Sequence, residues 1–507
     1  MRKWRPYAHC RDSSSWFNGY DLFPTSSGSY RTTPQWEGWG TAAAGPATPG
    51  TTGVAWAVTP LGNSSFGIVG TSTKLYECSS SANLASGTFT DRSGAAYTSS
   101  NWHVTMFGLV VIATNFSDSV QAVTYPIGGN FAALGGSPPK ARYICTQSNA
   151  VLLFAYDDGT TYEDGWWASD VGDHTTWTPA ATNDAANGRI LARPGKITAA
   201  VAFRDEVIVF KENSIFRMRY VGAPVYWMVD LISDGVGAYG TGGVCNCGDY
   251  LLFMGRAGVF RYDGASMQKV SSGFEYTGTA SNALLVAAGP GTGLWYPETG
   301  DAVFCFGGTI IVYNVNSDSW GRQPDYLSYD VAGTATFYSG YKYLYGDFES
   351  RKAFASANYY GKWNGQNDSA FGMIAVNLSA NPCVVADTVQ VTSSDYPVMK
   401  LGTEYIGDER WMTNVTRVIP VFTHSQSTNL TMGANSKYTL NVYTYNLPHG
   451  LELGNGSLAA TQTVTSSTTQ FRFDLNITAR FFRFEIVCNG PAEVIDLIIE
   501  SQKAGTQ

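Results

Sequence analysis

The sequence predicts an all-β protein: a β-propeller of about six to eight blades, with an N-terminal extended arm or platform and a C-terminal antiparallel β-sheet or sandwich. Three observations carry that expectation. The composition is that of strands and turns, with 14% aromatic residues and 55 glycines among 507 residues. β-Branched and aromatic side chains suit a pleated sheet, and Gly and Asn suit the turns between strands. A hairpin of the chain repeats without a gap, and the residue pattern changes character beyond residue 380. Helix signals are almost absent.

The repeat is clearest in the middle of the chain. "DEVIVFKENSIFRM" (Asp205–Met218) aligns with "DYLLFMGRAGVFRY" (Asp249–Tyr262) at an offset of 44 residues. Asp205 matches Asp249, Phe216 matches Phe260 and Arg217 matches Arg261. Each copy is an apolar strand, a polar turn and a second strand that contains Phe-Arg. Looser copies begin near Ile68, Val110, Val151, Val207, Leu251, Leu294 and Tyr343, at intervals of 42, 41, 56, 44, 43 and 49 residues. A period near 40–50 residues with strand pairs as the unit is the mark of a propeller. The longest interval holds "DVGDHTTWTPAATNDAANGRILARPGK", which reads as a long loop.

Two regions flank the repeat. Residues 1–60 are rich in Gly, Pro, Thr and Trp and read as an arm or platform of extended strands. Residues 61–365 are the expected propeller, and residues 366–507 form a β-rich C-terminal region. The latter holds alternating runs such as "YTLNVYTYNL", "TQFRFDLNI" and "RFFRFEIV", each the pattern of an antiparallel strand. The linker between the two falls in "NGQNDSAFG", Asn364–Gly372.

Charge narrows the function classes. The net charge is -8 and charged residues make up only 14% of the chain, against roughly 25% in ordinary soluble domains. No basic tail or stripe offers the electrostatic footprint of tight nucleic-acid binding. The segment "VIVFKENSIFRMRYVG" (Val207–Gly222) carries Arg217 and Arg219 on one strand, a candidate phosphate grip. Across Arg204–Arg219, however, Arg204, Lys211, Arg217 and Arg219 are nearly balanced by Asp205, Glu206 and Glu212. The eight cysteines are scattered, no C-x-x-C pair occurs, and several sit in apolar runs. They read as buried free thiols, as expected of folding in a reducing cytoplasm. The basic N-terminus lacks the apolar stretch of a secretory signal, and no run of about 18 apolar residues suggests a membrane helix.

Candidate chemistry is sparse. "GVGAYG" (Gly235–Gly240) matches G-x-G-x-x-G, but the residues after it read as turn and strand, so it is expected to be a loop between blades. His9, His103, His174, His424 and His449 form no metal or catalytic spacing, and His174 reads as part of a structural turn. "YDDGTTYEDG" (Tyr156–Gly165) gathers Asp157, Asp158, Glu163 and Asp164, yet misses the spacing of a calcium loop and reads as a solvated hairpin turn. Trp166 and Trp167 read as core between blades. Trp36 and Trp39, with Tyr30 and Arg31, are candidates for a subunit or partner interface in the arm. No catalytic, metal or cofactor residues are assigned, and the chain reads as a non-enzyme. A carbohydrate-recognising propeller and a propeller glycoside hydrolase are the alternatives.

A succession of segments carries a family resemblance. "WHVTMFGLVVIATN" (Trp102–Asn115), "FAALGGSPPKARYI" (Phe131–Ile144), "DHTTWTP" (Asp173–Pro179), "VIVFKENSIFRMRYVGAP" (Val207–Pro224) and "LLFMGRAGVFRYDG" (Leu251–Gly264) occur in this order. Together with "NGYDLFPTSSGSYRTTP" (Asn18–Pro34) and the closing strands "RFFRFEIVCNG" and "VIDLIIESQ", this order resembles the tail hub, or nozzle, proteins of short-tailed bacteriophages. Residues of about 325–470 depart from the resemblance. The resemblance implies a homohexameric tail tube below the head-to-tail adaptor and portal, with tail fibres or spikes attached at that junction. Genomic DNA would pass through the lumen without specific binding. The protein would reside in the virion after assembly in the host cytoplasm, and a host receptor would engage the tip. A net-negative chain poor in Lys and Arg suits such a channel, because a basic lumen would retain phosphates.

Overall fold

A computed structural model describes residues 102–240 and 243–271, except residue 257. It also describes residues 66–70, 73–79, 88–99, 292–296, 300–306, 309–323, 398–403, 406–407, 411–422, 437–445, 457–465, 472–489 and 493–505. Strand segments at 3–4, 15–20, 22–32, 35–38, 343–344, 374–375 and 384–387 complete the description. Among these residues the chain is all-β, with no α-helix.

Seven sheets follow one another along the chain. Sheet 1 contains Phe66–Gly70, Leu75–Ser79 and Thr88–Asp91. Sheet 2 contains His103–Phe107, Val110–Thr114, Gln121–Thr124 and Ala132–Ala133. Sheet 3 contains Lys140–Gln147, Ala150–Asp157, Thr161–Ala168 and Ala186–Arg189. Sheet 4 contains Ile197–Phe203, Glu206–Lys211, Ser214–Gly222 and Tyr226–Asp234. Sheet 5 contains Val244–Asn246, Leu251–Gly255, Gly258–Tyr262 and Met267–Lys269. Sheet 6 contains Thr292–Tyr296, Asp301–Phe306, Thr309–Asn314 and Ser319–Gln323. Sheet 7 joins Tyr343–Leu344, Ile374–Ala375 and Val384–Asp387 to the N-terminal strand Gln35–Gly38. Sheets 2 to 6 are antiparallel meanders in chain order, and their first strands lie side by side from sheet to sheet.

The second strand of each meander reads as an unbroken apolar run because it is buried on both faces. Successive side chains of a strand point to opposite sides. Val111 and Ala113 pack toward sheet 1, whereas Ile112 packs toward sheet 3. Val151 and Leu153 face sheet 2, and Leu152 and Phe154 face sheet 4. In sheet 4 the same alternation sends Val207 and Val209 toward sheet 3 and Ile208 and Phe210 toward sheet 5. The core is thus a series of sheet-on-sheet interfaces. Each fully buried aliphatic or phenyl side chain in it contributes roughly 1.5–3 kcal/mol.

The two hairpins aligned in the sequence have the same register. Val207 opposes Met218 and Val209 opposes Phe216, as Leu251 opposes Tyr262 and Phe253 opposes Phe260. Some of the looser copies are out of phase with them, and Ile68 stands on the first strand of sheet 1. Leu294 and Tyr343 stand on first strands, whereas Val110, Val151, Val207 and Leu251 stand on second strands. Neighbouring strands of a meander have similar apolar patterns, so spacing alone does not tell one from the next. The segment expected to be one long loop also contains the outer strand Ala186–Arg189. Before that strand the chain crosses back to sheet 2. There Trp177 is buried with Ile112, Val120 and Leu134, and His174 packs its ring 5.2 Å from that of Phe107.

The two chain ends share a pair of sheets. A seven-stranded sheet runs Lys3–Trp4, Ser15–Tyr20, Val398–Thr403, Phe481–Asn489, Lys437–Tyr445 and Ser457–Thr465, with Ile406–Gly407 also paired to Phe481–Asn489. A five-stranded sheet runs Leu22–Pro24, Tyr30–Thr32, Glu493–Gly505, Met412–Phe422 and Phe473–Ala479. Leu440, Phe484 and Ile486 of the first bury against Val415, Val418 and Leu497 of the second, in a core continuous with that of sheets 5 and 6. The segment expected as the linker, Asn364–Gly372, lies outside the described residues.

Candidate interaction surface

The hairpin that suggested a phosphate grip is a structural unit. Phe216 and Met218 are buried against sheet 3. Arg217 and Arg219 point the other way and converge on one carboxylate. Asp230 Oδ2 lies 2.8 Å from an Arg219 terminal nitrogen and 3.4 Å from Arg217 Nε. Both guanidiniums are thus engaged across the strand pair. Arg261, the counterpart of Arg217, keeps the same register position opposite Leu252 but sits over the Tyr250 ring at 4.3 Å. Lys211 is only 1% exposed, and its ammonium donates to the Ile190 carbonyl at 3.0 Å and to that of Arg193. Burial lowers its pKa, because a low-dielectric site disfavours the charged form.

The surface beside this hairpin is unusual. Tyr226–Asp234 is the outermost strand of sheet 4 and is nine residues long, about 30 Å at the rise of an extended chain. Along it and its turn stand exposed apolar side chains: Val221 (48%), Val225 (59%), Met228 (37%) and Leu231 (42%). Leu191, 68% exposed, sits in the preceding linker. The Arg193–Asp234 pair at 2.8 Å holds that linker beside the end of the strand. A long edge strand with apolar side chains and no proline is a template for pairing, and single soluble domains usually guard against it.

The other sequence candidates have structural partners. Asp157 accepts from the Gly159 amide at 2.8 Å and the Thr161 hydroxyl at 2.7 Å, bonds that hold its pKa down. Asp158 accepts from the Thr160 amide at 3.2 Å. Glu163 pairs with Arg142 at 3.0 Å, and Asp164 receives both Arg189 donors at 2.8 and 3.0 Å. "GVGAYG" is followed by the strand Val244–Asn246, so it has no helix N-terminus for a pyrophosphate. A Cβ on Gly237 would lie 2.0 Å from the Lys211 carbonyl, so the loop needs glycine for packing between sheets. Trp166 is core, and Trp167 donates from Nε1 to the Trp177 carbonyl at 2.8 Å. Cys145, Cys245, Cys247 and Cys488 are free and buried. Among the described residues no group of three or more His, Cys, Asp or Glu side chains is placed to hold a metal. No described helix is long and apolar enough to cross a membrane.

The described arm candidates stand on strands of two different sheets. Tyr30 is fully buried, opposite Val494 in the five-stranded sheet. Arg31 opposes Glu493 in the same ladder and lies 5.1 Å over the Phe23 ring. Trp36 is a position of the strand Gln35–Gly38, opposite Ala386 in sheet 7. Trp39 lies outside the described residues. The sequence reading missed the outer strand of sheet 4. "VYWMVDLIS" has no clean polar alternation, so it reads like one more buried strand. Its length, beside the short outer strands of sheets 2, 3 and 5, was the available signal.

No family model and no curated protein matches this chain. Among solved structures the chain is similar to one described as "Streptogramin B lyase structure", at 10% identity and a TM-score of 0.42. The match covers 69% of this chain and 96% of that chain. A likeness of that weakness carries no argument about activity.

Proposed function

We propose that the chain is a structural, non-catalytic subunit that assembles with copies of itself, and that sheets 1 to 7 are the blades of a propeller. The succession of meanders with adjacent first strands supports the propeller reading. The observation that carries the assembly reading is the outer strand Tyr226–Asp234 with exposed Val225, Met228 and Leu231. Permanent subunit interfaces are apolar and poor in charge. With the ordered resemblance to tail hubs, the assembly becomes the distal tail tube of a short-tailed phage. It is a homohexamer that binds the adaptor and portal complex, carries tail fibres or spikes at that junction, and resides in the virion. Genomic DNA passes its lumen without specific binding, which suits a net charge of -8. Receptor engagement at the tip shifts the subunits and opens the channel.

The test is native mass spectrometry and negative-stain imaging of the purified chain with and without a portal–adaptor complex. A sixfold ring that docks on the complex supports the reading. A monomer that ignores it overturns the reading.

A further inference from the structure

A ring of more than two identical copies needs two different surfaces on each copy, because a subunit meets one neighbour with one surface and the other neighbour with another. The outer strand of sheet 4, Tyr226–Asp234, supplies one of them. Over its nine residues the outward side of its backbone meets no other strand among the described residues. Such an edge is completed by another strand edge of comparable length.

Few edges among the described residues meet that requirement. The outermost strands of sheets 1, 2, 3, 5, 6 and 7 have two to five residues. In the terminal pair of sheets, the outer strands Ser457–Thr465 and Phe473–Ala479 are tied to each other, where the Gln462 amide donates to the Asp474 carbonyl at 2.7 Å. Glu493–Gly505 is different. Met412–Phe422 pairs with one side of it from Val494 to Gly505. On the other side Tyr30–Thr32 reaches only Glu493 and Val494. From Ile495 to Gly505 that second side meets no strand among the described residues. Ser501 to Gly505 are exposed in an unbroken run, so both faces of the strand stand in solvent along with its edge.

This free edge is also apolar. Outside sheet 4 and the linker before it, the exposed large apolar side chains among the described residues are Leu109, Trp411, Leu458 and Ile498. Ile498 stands on Glu493–Gly505 itself, and the Trp411 ring lies against the same strand, 4.9 Å from the Lys503 ammonium. The two edges differ in the sign of their charge. Tyr226–Asp234 carries Asp230 and Asp234 and no cation, whereas Lys503 is the one charged residue of Ser501–Gly505.

Resting on the assembly proposed above, we infer that Tyr226–Asp234 of one copy adds as a strand to the free edge of Glu493–Gly505 of the next copy. Main-chain hydrogen bonds then join sheet 4 to the five-stranded terminal sheet of the neighbour, and the apolar side chains of the two edges cover one another. The contact is head-to-tail, so it repeats around a ring without pairing any surface with itself.

Two full-length variants separate the two surfaces. Val225→Asp, Leu231→Asp blocks the sheet 4 edge and leaves the terminal edge intact. Gln502→Asp, Ala504→Asp does the reverse at two exposed positions. Native mass spectrometry reads each variant alone and in an equimolar mixture, and far-UV circular dichroism verifies each fold. Each alone is a monomer. Mixed, they form a one-to-one dimer and nothing larger, because one intact contact remains per pair. Ile498→Asp probes the same terminal edge if the second double variant loses its fold. A terminal-edge variant that associates with itself, or a mixture without the dimer, overturns the inference and leaves the sheet 4 contact standing. A sheet 4 variant that still associates, or a wild-type chain that stays monomeric, overturns the inference together with the assembly reading.

Discussion

The Lys211 ammonium donates to the carbonyl of Ile190 across 3.0 Å, tying the second strand of sheet 4 to the linker that leaves sheet 3. Lys211→Met strands that acceptor and the Arg193 carbonyl. It is expected to lower stability by about 1–3 kcal/mol at neutral pH. The pH dependence has a definite sign. The folded pKa lies below the ordinary 10.5, so just below pH 10.5 the folded chain binds fewer protons here than the unfolded chain. Folding stability from this group therefore rises with pH across that window. Denaturant melts of wild type and Lys211→Met at a series of pH values read the difference. A stability gap between the two proteins that does not widen with pH there refutes the assignment.

Arg217 and Arg219 share Asp230 at a partly exposed site, so each pair contributes little. Arg217→Ala is expected to cost about 1 kcal/mol or less in melts, with a smaller effect at high salt. Under the proposed tail role it should weaken folding or assembly more than DNA passage. An Arg217→Ala particle with normal stability and assembly but slowed ejection would restore the nucleic-acid reading.

The strap across sheets 2 and 3 depends on Trp177, which is 2% exposed. Trp177→Ala should destabilise by about 3–5 kcal/mol. Gly136→Ala should be comparably harmful. Gly136 has φ of +77°, and a Cβ there would stand 1.6 Å from the Thr175 carbonyl oxygen. Chemical denaturation measures both. A loss below about 1 kcal/mol in either variant would mean that the strap is not part of the cooperative fold.

Val225 and Leu231 are exposed on the outer hairpin of sheet 4. The double substitution Val225→Asp, Leu231→Asp should leave the melting temperature of the isolated chain nearly unchanged and shift native mass spectra from oligomer to monomer. An oligomer of unchanged size would place the subunit contact elsewhere.

Burial pushes the Cys145 thiol up to about 12 and raises those of Cys245, Cys247 and Cys488. The thiolate is the reactive form. All four should therefore resist a thiol-specific reagent at pH 8 in the native protein and react once it is unfolded. Fast native labelling of any of them, read by peptide mapping, would contradict their burial.

The sequence by itself determined the all-β character, many of the strands and the repeated hairpin. These depend on period-2 apolar patterning and turn residues, which act between near neighbours. The Val207–Met218 and Leu251–Tyr262 registers were legible for that reason. The binding of the hairpin arginines was legible only in kind, since the match of Arg217 to Arg261 did not tell an Asp230 partner from a Tyr250 ring. Only the tertiary structure decided that Gln35–Gly38 joins sheet 7 opposite Val384–Asp387 and that Tyr30 pairs with Val494. Strand pairing across hundreds of residues uses backbone hydrogen bonds that any strand can make, so it leaves no local trace in the chain.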